Sequence, residues 1–231
     1  KVHDIDSKIM GSNTIMNSSI AMNFSKNDSS MDINMDVYED LSKTDERYEF
    51  VLPNYDYQNK LSISEELGTL NFQSRGYYKN YETNKKQTKL VNDFHWKSND
   101  YISNYGIITK FEGTLKNSNY RAENTSDHKN DKNNIELMGA VSLLSSLPLE
   151  KQSENYKKTL TPKLMLRTAP GHMRNMSDDS LKLGMSNLYS LNKLSVIDVV
   201  ETGTSLTLGT DYNYKDKNDF EKFNLSVGQV F

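Results

Sequence analysis

The sequence predicts an all-β, antiparallel fold, and two observations carry that prediction. Apolar residues recur at every second position in one segment after another, and no segment keeps the i, i+3, i+4, i+7 spacing of an amphipathic helix. The 231 residues also include 14 Tyr, 8 Phe and 1 Trp, although only 35% of the chain is hydrophobic. Because disordered chains contain few aromatic residues, this content indicates an ordered structure that uses them.

Residues 16–24 and 31–38 predict the first two strands. In the second strand the two faces separate cleanly: Met31, Ile33, Met35 and Val37 on one, and Asp32, Asn34, Asp36 and Tyr38 on the other. The Lys-Asn-Asp-Ser sequence at residues 26–29 has the composition of a turn. The two strands are therefore predicted to form a hairpin with one wet face.

The same alternation predicts further strands along the chain. They cover residues 48–57, 68–81, 88–96, 101–116, 135–147, 159–168, 205–214 and 220–231. A strand over residues 101–116 would far exceed the usual length of about 5 to 6 residues. Such length suits a tilted membrane wall, in which about 9 to 11 residues cross the apolar layer. The fold prediction is thus part of a transmembrane β-barrel wall, with about ten long strands and long polar loops.

The connections favour the same interpretation. Residues 117–134 and 170–179 are long and polar, whereas residues 26–30 are short. Outer-membrane barrels combine long loops on the outside with tight turns on the periplasmic side. A soluble β-sandwich with a few long loops explains the periodicity equally well, so both architectures stay open at this point.

Composition excludes several functional classes. With 28 basic and 31 acidic residues the net charge is -3, and no basic stripe suited to nucleic acid is present. The uncharged stretch 137–149 is shorter than the roughly 20 residues of a membrane-spanning helix. No cysteine occurs, the four histidines are far apart, and no GxSxG sequence is present. We therefore expect no catalysis, no cofactor and no metal site.

Lys1 follows no apolar leader, which predicts an internal piece of a longer protein.

Tyrosines and the tryptophan group near the predicted strand ends. An interfacial aromatic belt needs such positions, because the ring lies in the apolar layer and the polar atom among the headgroups. The alternative is cross-strand packing in a soluble sheet. The candidate belt residues are Tyr78, Tyr81, Trp96, Tyr101, Tyr105, Tyr212 and Tyr214.

Four phrases in this sequence resemble one family in order and spacing. They are residues 50–57 (FVLPNYDY), 160–175 (LTPKLMLRTAPGHMRN), 186–193 (SNLYSLNK) and 223–230 (FNLSVGQV). Together they resemble the lipopolysaccharide-assembly outer-membrane protein family LptD, over nearly the whole chain. The sequence departs from the family pattern at Lys193, where an arginine is frequent, and its loops are richer in Asn and Lys.

The resemblance implies a fold and a function. Residues 1–231 would form a middle part of the family's β-barrel domain, with the N-terminal jelly roll and the terminal barrel strands outside this chain. The family receives lipopolysaccharide from an LptA-like periplasmic bridge, holds an LptE-like plug lipoprotein, and inserts lipopolysaccharide into the outer leaflet of the Gram-negative cell outer membrane. No nucleic acid, cofactor or catalytic group is implied.

A polar inner surface suits transport of an amphiphile with an anionic sugar head. The candidate lumen-facing residues are Asp32, Asn34, Asp36, Asn104, Lys110, Glu112 and Lys116. Two other functions stay open: a different outer-membrane channel such as a porin, and a soluble carbohydrate-binding β-sandwich.

Overall fold

The computed structural model describes residues 14–82, 84–125, 133–171, 183–194 and 196–231. All the strands of these residues belong to one antiparallel 12-stranded sheet, which confirms the predicted all-β antiparallel fold. The helical content of the described residues is one short 3-10 turn, Glu65–Leu67. None of the helices in the described part of the chain is long and apolar enough to cross a membrane.

The strands follow the chain from one side of the sheet to the other. Their bounds are β1 Ile15–Lys26, β2 Ser29–Asp40, β3 Tyr48–Leu61, β4 Thr69–Tyr81, β5 Lys85–Lys97, β6 Tyr101–Ile102, β7 Ile108–Glu123, β8 Asn133–Ser146, β9 Leu149–Ser153, β10 Tyr156–Ala169, β11 Gly203–Asp216 and β12 Glu221–Val230. The order in the sheet is β1-β2-β3-β4-β5-β7-β8-β10-β11-β12, with β6 paired to β7 and β9 paired to β10. Apart from the short strands β6 and β9, strands that are neighbours in sequence are thus neighbours in the sheet.

The first hairpin forms as its sequence predicts. Strands β1 and β2 pair from Ile15 opposite Asp40 to Lys26 opposite Ser29. Asn27 in the turn has φ = 51°, a left-handed conformation that asparagine tolerates better than most residues. This turn sets the register that places apolar residues opposite apolar ones.

The prediction of a single strand over residues 101–116 is wrong at residues 103–107. These residues form a tight turn between β6 and β7, with Tyr101 opposite Thr109. Gly106 has φ = 78°, and the Ser103 hydroxyl accepts a hydrogen bond from the Ile107 backbone N–H at 3.2 Å. The alternation of apolar and polar residues continues through residues 103–107, so the sequence pattern does not distinguish this turn from a strand.

The loop predicted at residues 117–134 is wrong for residues 117–123 and 133–134, because β7 continues to Glu123 and β8 begins at Asn133. Polar side chains support this part of the strand: Asn119 Nδ2 donates to Asn117 Oδ1 at 2.6 Å, and Asn117 Nδ2 donates to the Glu136 carbonyl at 3.4 Å. The rest of that loop includes residues 126–132, and the loop predicted at 170–179 includes residues 172–179; both parts lie outside the described residues. The sequence pattern does not predict strand β9.

The chain divides into two compact units. One comprises the described parts of Lys1–Leu61, Asn71–Asp93 and Asn117–Leu137 and is called the first unit below. The second unit comprises those of Ser62–Leu70, Phe94–Lys116 and Met138–Phe231. A buried apolar cluster lies in the second unit and consists of Met138, Ala140, Ala169, Leu191, Val199 and Val200.

Candidate functional site on the polar face of the sheet

In the first unit, one face of the β1–β2 hairpin is apolar and exposed. Cross-strand pairing places Ile20 beside Met35, Met22 beside Ile33 and Phe24 beside Met31. The exposed fractions of Ile20 and Phe24 are 64% and 57%. A contiguous surface of this kind calls for an apolar environment or a partner. We refer to it as the apolar face.

The second unit has an apolar face of the same character. Leu166 pairs with Leu206 and Leu164 with Leu208 on neighbouring strands, and Tyr212 lies opposite Leu225 on β12. Leu166 and Leu225 are each 49% exposed. Since side chains alternate across a strand, the opposite face of each unit takes the remaining, mostly polar residues. We call that opposite face the polar face.

Carboxylates and amides of β2, β3 and β4 meet on the polar face of the first unit. Asp32 lies opposite Asp56, and Asn34 lies opposite Asn54. Gln73 Nε2 donates to both carboxylate oxygens of Asp56, at 2.8 and 3.0 Å. This amide compensates part of the repulsion between two carboxylates that face each other on adjacent strands.

The polar face of the second unit carries ion pairs and one buried amine. Lys110 Nζ lies 3.2 Å from Asp100 Oδ1, and Glu112 Oε1 lies 3.4 Å from Lys97 Nζ. Lys116 is only 4% exposed. Its Nζ donates to the Ile197 carbonyl at 2.8 Å. Burial of a lysine amine is costly unless such polar partners surround it.

Part of the connection between β10 and β11 lies against this face. We call residues 183–194 and 196–202 the covering segment. Arg167, which is 3% exposed, donates from Nε to the Leu191 carbonyl, from Nη2 to the Glu201 carbonyl and from Nη1 to the Gly203 carbonyl at 3.5 Å. Arginine suits this position because its planar donors reach several acceptors at once.

Two glycines make room for the covering segment. Gly209 and Gly228 lie opposite each other on β11 and β12. A Cβ atom at Gly209 would lie 2.1 Å from Tyr189 Oη, and one at Gly228 would lie 2.2 Å from Leu188 Cδ2. A Cβ atom at Gly228 would therefore displace the end of the Leu188 side chain, and one at Gly209 would also lie 2.4 Å from the Val227 carbonyl oxygen on β12. We call this pair the glycine notch.

Tyr189 is held in the notch in a partly buried setting. Its ring lies 5.4 Å from Lys163 Nζ, and Lys163 pairs with Asp211. Burial, and then the negative charge of Asp211, raise the pKa of the Tyr189 hydroxyl above its ordinary value. Tyr189 is therefore a neutral phenol at physiological pH.

Internal polar contacts give the covering segment its shape. Lys193 is 7% exposed, and its Nζ lies 3.3 Å from both Glu201 Oε2 and Ser205 Oγ. Asn192 accepts from the Glu201 backbone N–H at 3.0 Å and donates to the Val199 carbonyl at 2.9 Å. Sequence reasoning missed the roles of Arg167 and Lys193. The phrase at residues 160–175 contains Arg167, and the phrase at residues 186–193 contains Leu188, Tyr189 and Lys193. These two phrases are the sequence signals that could have indicated the contact.

The candidate lumen residues share the polar face, with one exception. Alternation and pairing place Asp32, Asn34, Asp36, Lys110, Glu112 and Lys116 on the polar face of their own unit. Asn104 lies in the turn between β6 and β7, so alternation does not assign it to a face. In the described parts of the chain, no group of three or more His, Asp or Glu side chains is arranged to hold a metal ion. His3, His128 and His172 lie outside those parts.

The candidate belt residues separate into two groups. Tyr57 packs on Phe72, which puts the even-numbered residues of β4, including Tyr78, on the apolar face. Tyr81 lies on the opposite, polar face, where its hydroxyl accepts a hydrogen bond from Gln87 Nε2 at 3.1 Å. Because residues three apart in a strand point to opposite faces, Tyr78 and Tyr81 lie on opposite faces of β4.

The second unit holds the other candidate belt residues. Trp96 donates from its indole N–H to the Leu67 carbonyl at 2.8 Å. Tyr101 contacts Phe111, with ring centroids 5.9 Å apart, and Tyr105 lies in the turn, 87% exposed. Tyr212 contacts Phe223, and Tyr214 contacts Tyr156, at 6.0 and 6.2 Å. These ring pairs lie near the β5–β7 and β11–β12 connections.

Long antiparallel strands with one exposed apolar face and one polar face define a class of protein, the wall of a transmembrane β-barrel. Comparison with protein families shows to which family this barrel wall belongs. The family model described as LptD, LPS transport system D, matches residues 2–231, and the chain belongs to this family. The match confirms the resemblance found in the sequence. The search of curated proteins gave no match. The family is a component of lipopolysaccharide transport at the outer membrane.

Proposed function

We propose that the chain forms part of the barrel wall through which lipopolysaccharide is translocated and inserted into the outer leaflet of a Gram-negative outer membrane. Residues 1–231 belong to the barrel domain in this proposal. Its partners are lipopolysaccharide, an LptE-like plug lipoprotein and an LptA-like periplasmic bridge that joins through an N-terminal domain. The wall acts without catalysis or a cofactor, by providing surfaces of suitable polarity.

The observation that carries the proposal is the two-faced sheet in a chain of the LptD family. Lipopolysaccharide has acyl chains and a charged sugar head, so its transfer needs an apolar surface and a polar one. On β2 both surfaces are present on one strand: Ile33 and Met35 lie on the apolar face, and Asn34 and Asp36 on the polar face. Alternation at single-residue spacing separates the two environments across the thickness of the sheet.

The proposal gives each face a role. The polar face lines the lumen through Asp32, Asn34, Asp36, Lys110, Glu112 and Lys116. Lipid contacts the apolar face, where Tyr78, Trp96, Tyr101, Tyr212 and Tyr214 meet the headgroup layer. Tyr81, Tyr105 and Asn104 are not included. Tyr81 shares the polar face with Gln87, and Tyr105 and Asn104 lie in the turn between β6 and β7.

Depletion of the full-length protein in cells tests the transport role. We expect lipopolysaccharide arrival at the cell surface to fall as the protein is lost, while newly made lipopolysaccharide accumulates inside. Re-expression of the wild-type protein restores arrival. Unchanged surface arrival after depletion would contradict the proposal.

Fluorescence tests the orientation of the sheet. In vesicles that contain brominated lipids, we expect quenching of the emission assigned to Trp96 by difference from a Trp96→Phe variant. The same protein in unbrominated vesicles is the control. Emission from Trp96 that is equally bright in both vesicles would place this residue away from lipid.

A further inference from the structure

A row of polar side chains crosses the first unit on the same side of the sheet as the apolar face. Tyr55 lies opposite Ile33, and its hydroxyl lies 3.1 Å from Ser74 Oγ on β4. Ser74 donates to Asn92 Oδ1 on β5 at 2.8 Å, and Asn92 Nδ2 donates to Asn117 Oδ1 on β7 at 3.5 Å. These bonds satisfy polar groups that would otherwise be costly on a surface that contacts lipid. The row places Asn117 on the side of the apolar face.

Strand β7 stays polar on this side beyond the row. Alternation places Asn119, Arg121 and Glu123 on the same side as Asn117, and Asn119 Nδ2 donates to Asn117 Oδ1 at 2.6 Å. We call these four residues the polar stripe. At its Glu123 end, β7 leads into one of the longest connections between the strands. Long connections of outer-membrane barrels are extracellular, which assigns the stripe to the outer-leaflet side of the wall.

Two cations face one carboxylate at the polar stripe. Arg121 Nη2 lies 2.9 Å from Glu123 Oε1, and Lys86 Nζ on β5 lies 4.0 Å from Glu123 Oε2. The side chains of Arg121 and Lys86 are 55% and 46% exposed. Because the carboxylate balances only one of the two cations, the three groups together carry a positive charge. A guanidinium group has five N–H donors and binds phosphate oxygens in pairs. The stripe is therefore complementary in charge to a phosphate group.

Exposed apolar side chains flank the polar stripe on β8, the neighbour of β7 in the sheet. Ile135 and Leu137 are each 71% exposed. Met138 lies in the buried cluster with Leu191 of the covering segment, so alternation along β8 puts Ile135 and Leu137 on the opposite, apolar side. A cationic polar stripe thus runs beside an apolar strip. This arrangement fits an amphiphile with an anionic head and acyl chains.

We propose that the polar stripe and Lys86 form a docking site, on the outside of the wall, for a lipopolysaccharide molecule that is already in the outer leaflet. The assignment rests on the proposed function, because it needs the apolar face to contact lipid. Arg121 and Lys86 bind a phosphate group of the docked lipid, and Asn119 binds a neighbouring sugar hydroxyl. Ile135 and Leu137 contact an acyl chain.

Lipopolysaccharide fits this site better than a phospholipid does. Its phosphate groups are attached to sugars, whose hydroxyls need donors and acceptors beside the cations. Asn117 and Asn119 present carboxamides on the same stripe as Arg121, and a carboxamide both donates and accepts. The docked lipid also shields the stripe from the acyl chains of the surrounding leaflet, where polar groups without partners are costly.

Photocrosslinking in nanodiscs tests this site in the full-length protein. Ile135→benzoylphenylalanine places the crosslinker beside the stripe, and Ile20→benzoylphenylalanine, at an isoleucine that is 64% exposed on the apolar face, is the matched control. The nanodiscs consist of phosphatidylcholine with added lipopolysaccharide, with the same lipopolysaccharide after removal of its phosphates, or with phosphatidylglycerol. At position 135 we expect the adduct with intact lipopolysaccharide to exceed each of the other two adducts about three- to tenfold. We expect no such preference at position 20.

Removal of the two cations is the second arm of the test. Arg121→Gln combined with Lys86→Gln should lower the lipopolysaccharide adduct about three- to tenfold. The matched control is Lys157→Gln combined with Lys222→Gln. These lysines are 41% and 54% exposed, form ion pairs and lie beside short connections, so the adduct should not change. Heat-modifiable gel migration checks that each variant is assembled.

A third variant changes the yield in the opposite direction. Glu123→Gln removes the carboxylate that competes with phosphate for Arg121 and Lys86, and it should raise the adduct yield about twofold or more. A purely structural role of these three residues would not produce an increase. An unchanged or lower yield from the assembled Glu123→Gln protein would overturn the charge recognition.

The remaining outcomes separate this inference from the proposed function. Equal adducts with and without the two cations, or with and without the lipid phosphates, would overturn phosphate recognition at the stripe. An equal adduct with phosphatidylglycerol would overturn lipopolysaccharide as the occupant. The proposed function stands after any of these results if surface arrival of lipopolysaccharide still depends on the protein. Arrival that does not depend on the protein would overturn the proposed function, and an adduct at neither position would remove the lipid contact on which the docking site rests.

Discussion

Replacement of Arg167 by lysine should release the covering segment from the polar face. The guanidinium group donates to the carbonyls of Leu191, Glu201 and Gly203. Lysine keeps the charge but is shorter, and it does not have the planar arrangement of donors that reaches all three oxygens. Arg167→Lys therefore isolates the geometry of the contact from its charge.

The size of the effect follows from the bonds lost. A hydrogen bond to a charged group contributes about 1.5 to 3 kcal/mol, so loss of one of them destabilises the docked segment by about 1.5 to 3 kcal/mol. Amides protected by local docking exchange through local opening. Their hydrogen exchange should accelerate by about 10- to 150-fold, since about 1.4 kcal/mol corresponds to a factor of ten.

Hydrogen exchange with mass spectrometry on the assembled protein measures this change. Peptides that cover residues 186–194 and 196–202 should exchange faster in Arg167→Lys, while peptides from β1 and β2 should not change. The matched control is Arg121→Lys, because the Arg121 side chain is 55% exposed and pairs with Glu123 on its own strand, at 2.9 Å. If the peptides of the covering segment exchange no faster in Arg167→Lys than in Arg121→Lys, Arg167 does not hold the covering segment on the polar face.

Three further predictions concern the notch, the apolar face and one turn. Gly209→Ala should lower the thermal unfolding midpoint, because the new Cβ would lie 2.1 Å from Tyr189 Oη and 2.4 Å from the Val227 carbonyl oxygen, and overpacking costs about 1 to 3 kcal/mol. Leu208→Lys, on the apolar face and 40% exposed as leucine, should cost about 2 to 4 kcal/mol in urea unfolding from lipid vesicles if it lies near the bilayer midplane. The hydrogen bond from Lys85 lowers the pKa of Glu82 from its ordinary value of 4.5. Glu82 should therefore stabilise the folded state above that value and lose this effect as the pH falls, so Glu82→Gln should unfold more easily than wild type at pH 7 and equally at acidic pH.

Each of these predictions has a control or a contradicting result. Gly184→Ala should leave the thermal unfolding midpoint nearly unchanged, since the nearest atom to its Cβ would be Ser186 Oγ at 4.0 Å. Equal midpoints for the two alanine variants would show that the glycine notch is not tightly packed. An unchanged urea midpoint for Leu208→Lys would argue against lipid contact there. A stability difference for Glu82→Gln that does not change with pH would assign it to something other than the carboxylate charge.

The first hairpin shows how much the sequence alone predicts. The faces of β2 follow from the identity of every second residue, and the observed register with β1 pairs Met31 with Phe24 and Ile33 with Met22. This prediction succeeds because side-chain direction in a strand depends on local backbone geometry. The alternation of residue types is therefore sufficient to assign the apolar and polar faces of this hairpin.

The alternation of apolar and polar residues predicts a strand in error where a turn has the same sequence pattern. Residues 103–107 keep the sequence pattern of a strand, yet Gly106 adopts a positive φ and the chain reverses. Beyond Lys116 the opposite error occurs, since polar residues on both faces predict a loop where β7 continues. In the turn, Gly106 and the local hydrogen bonds between Ser103 and Ile107 reverse the chain. Beyond Lys116, hydrogen bonds with a neighbouring strand, such as the one from Asn117 to the Glu136 carbonyl, support the strand, and local composition carries little information about them.

By itself, the sequence determined the fold class, the two faces of most strands and the family, because each depends on local periodicity or on collinear phrases. Only the tertiary structure decided which polar residues are buried. Lys116 donates to the carbonyl of Ile197, a residue 81 positions away, and Gly209 and Gly228 admit Tyr189 and Leu188. Contacts over such distances arise when separate segments pack together, and no pattern within either segment encodes them.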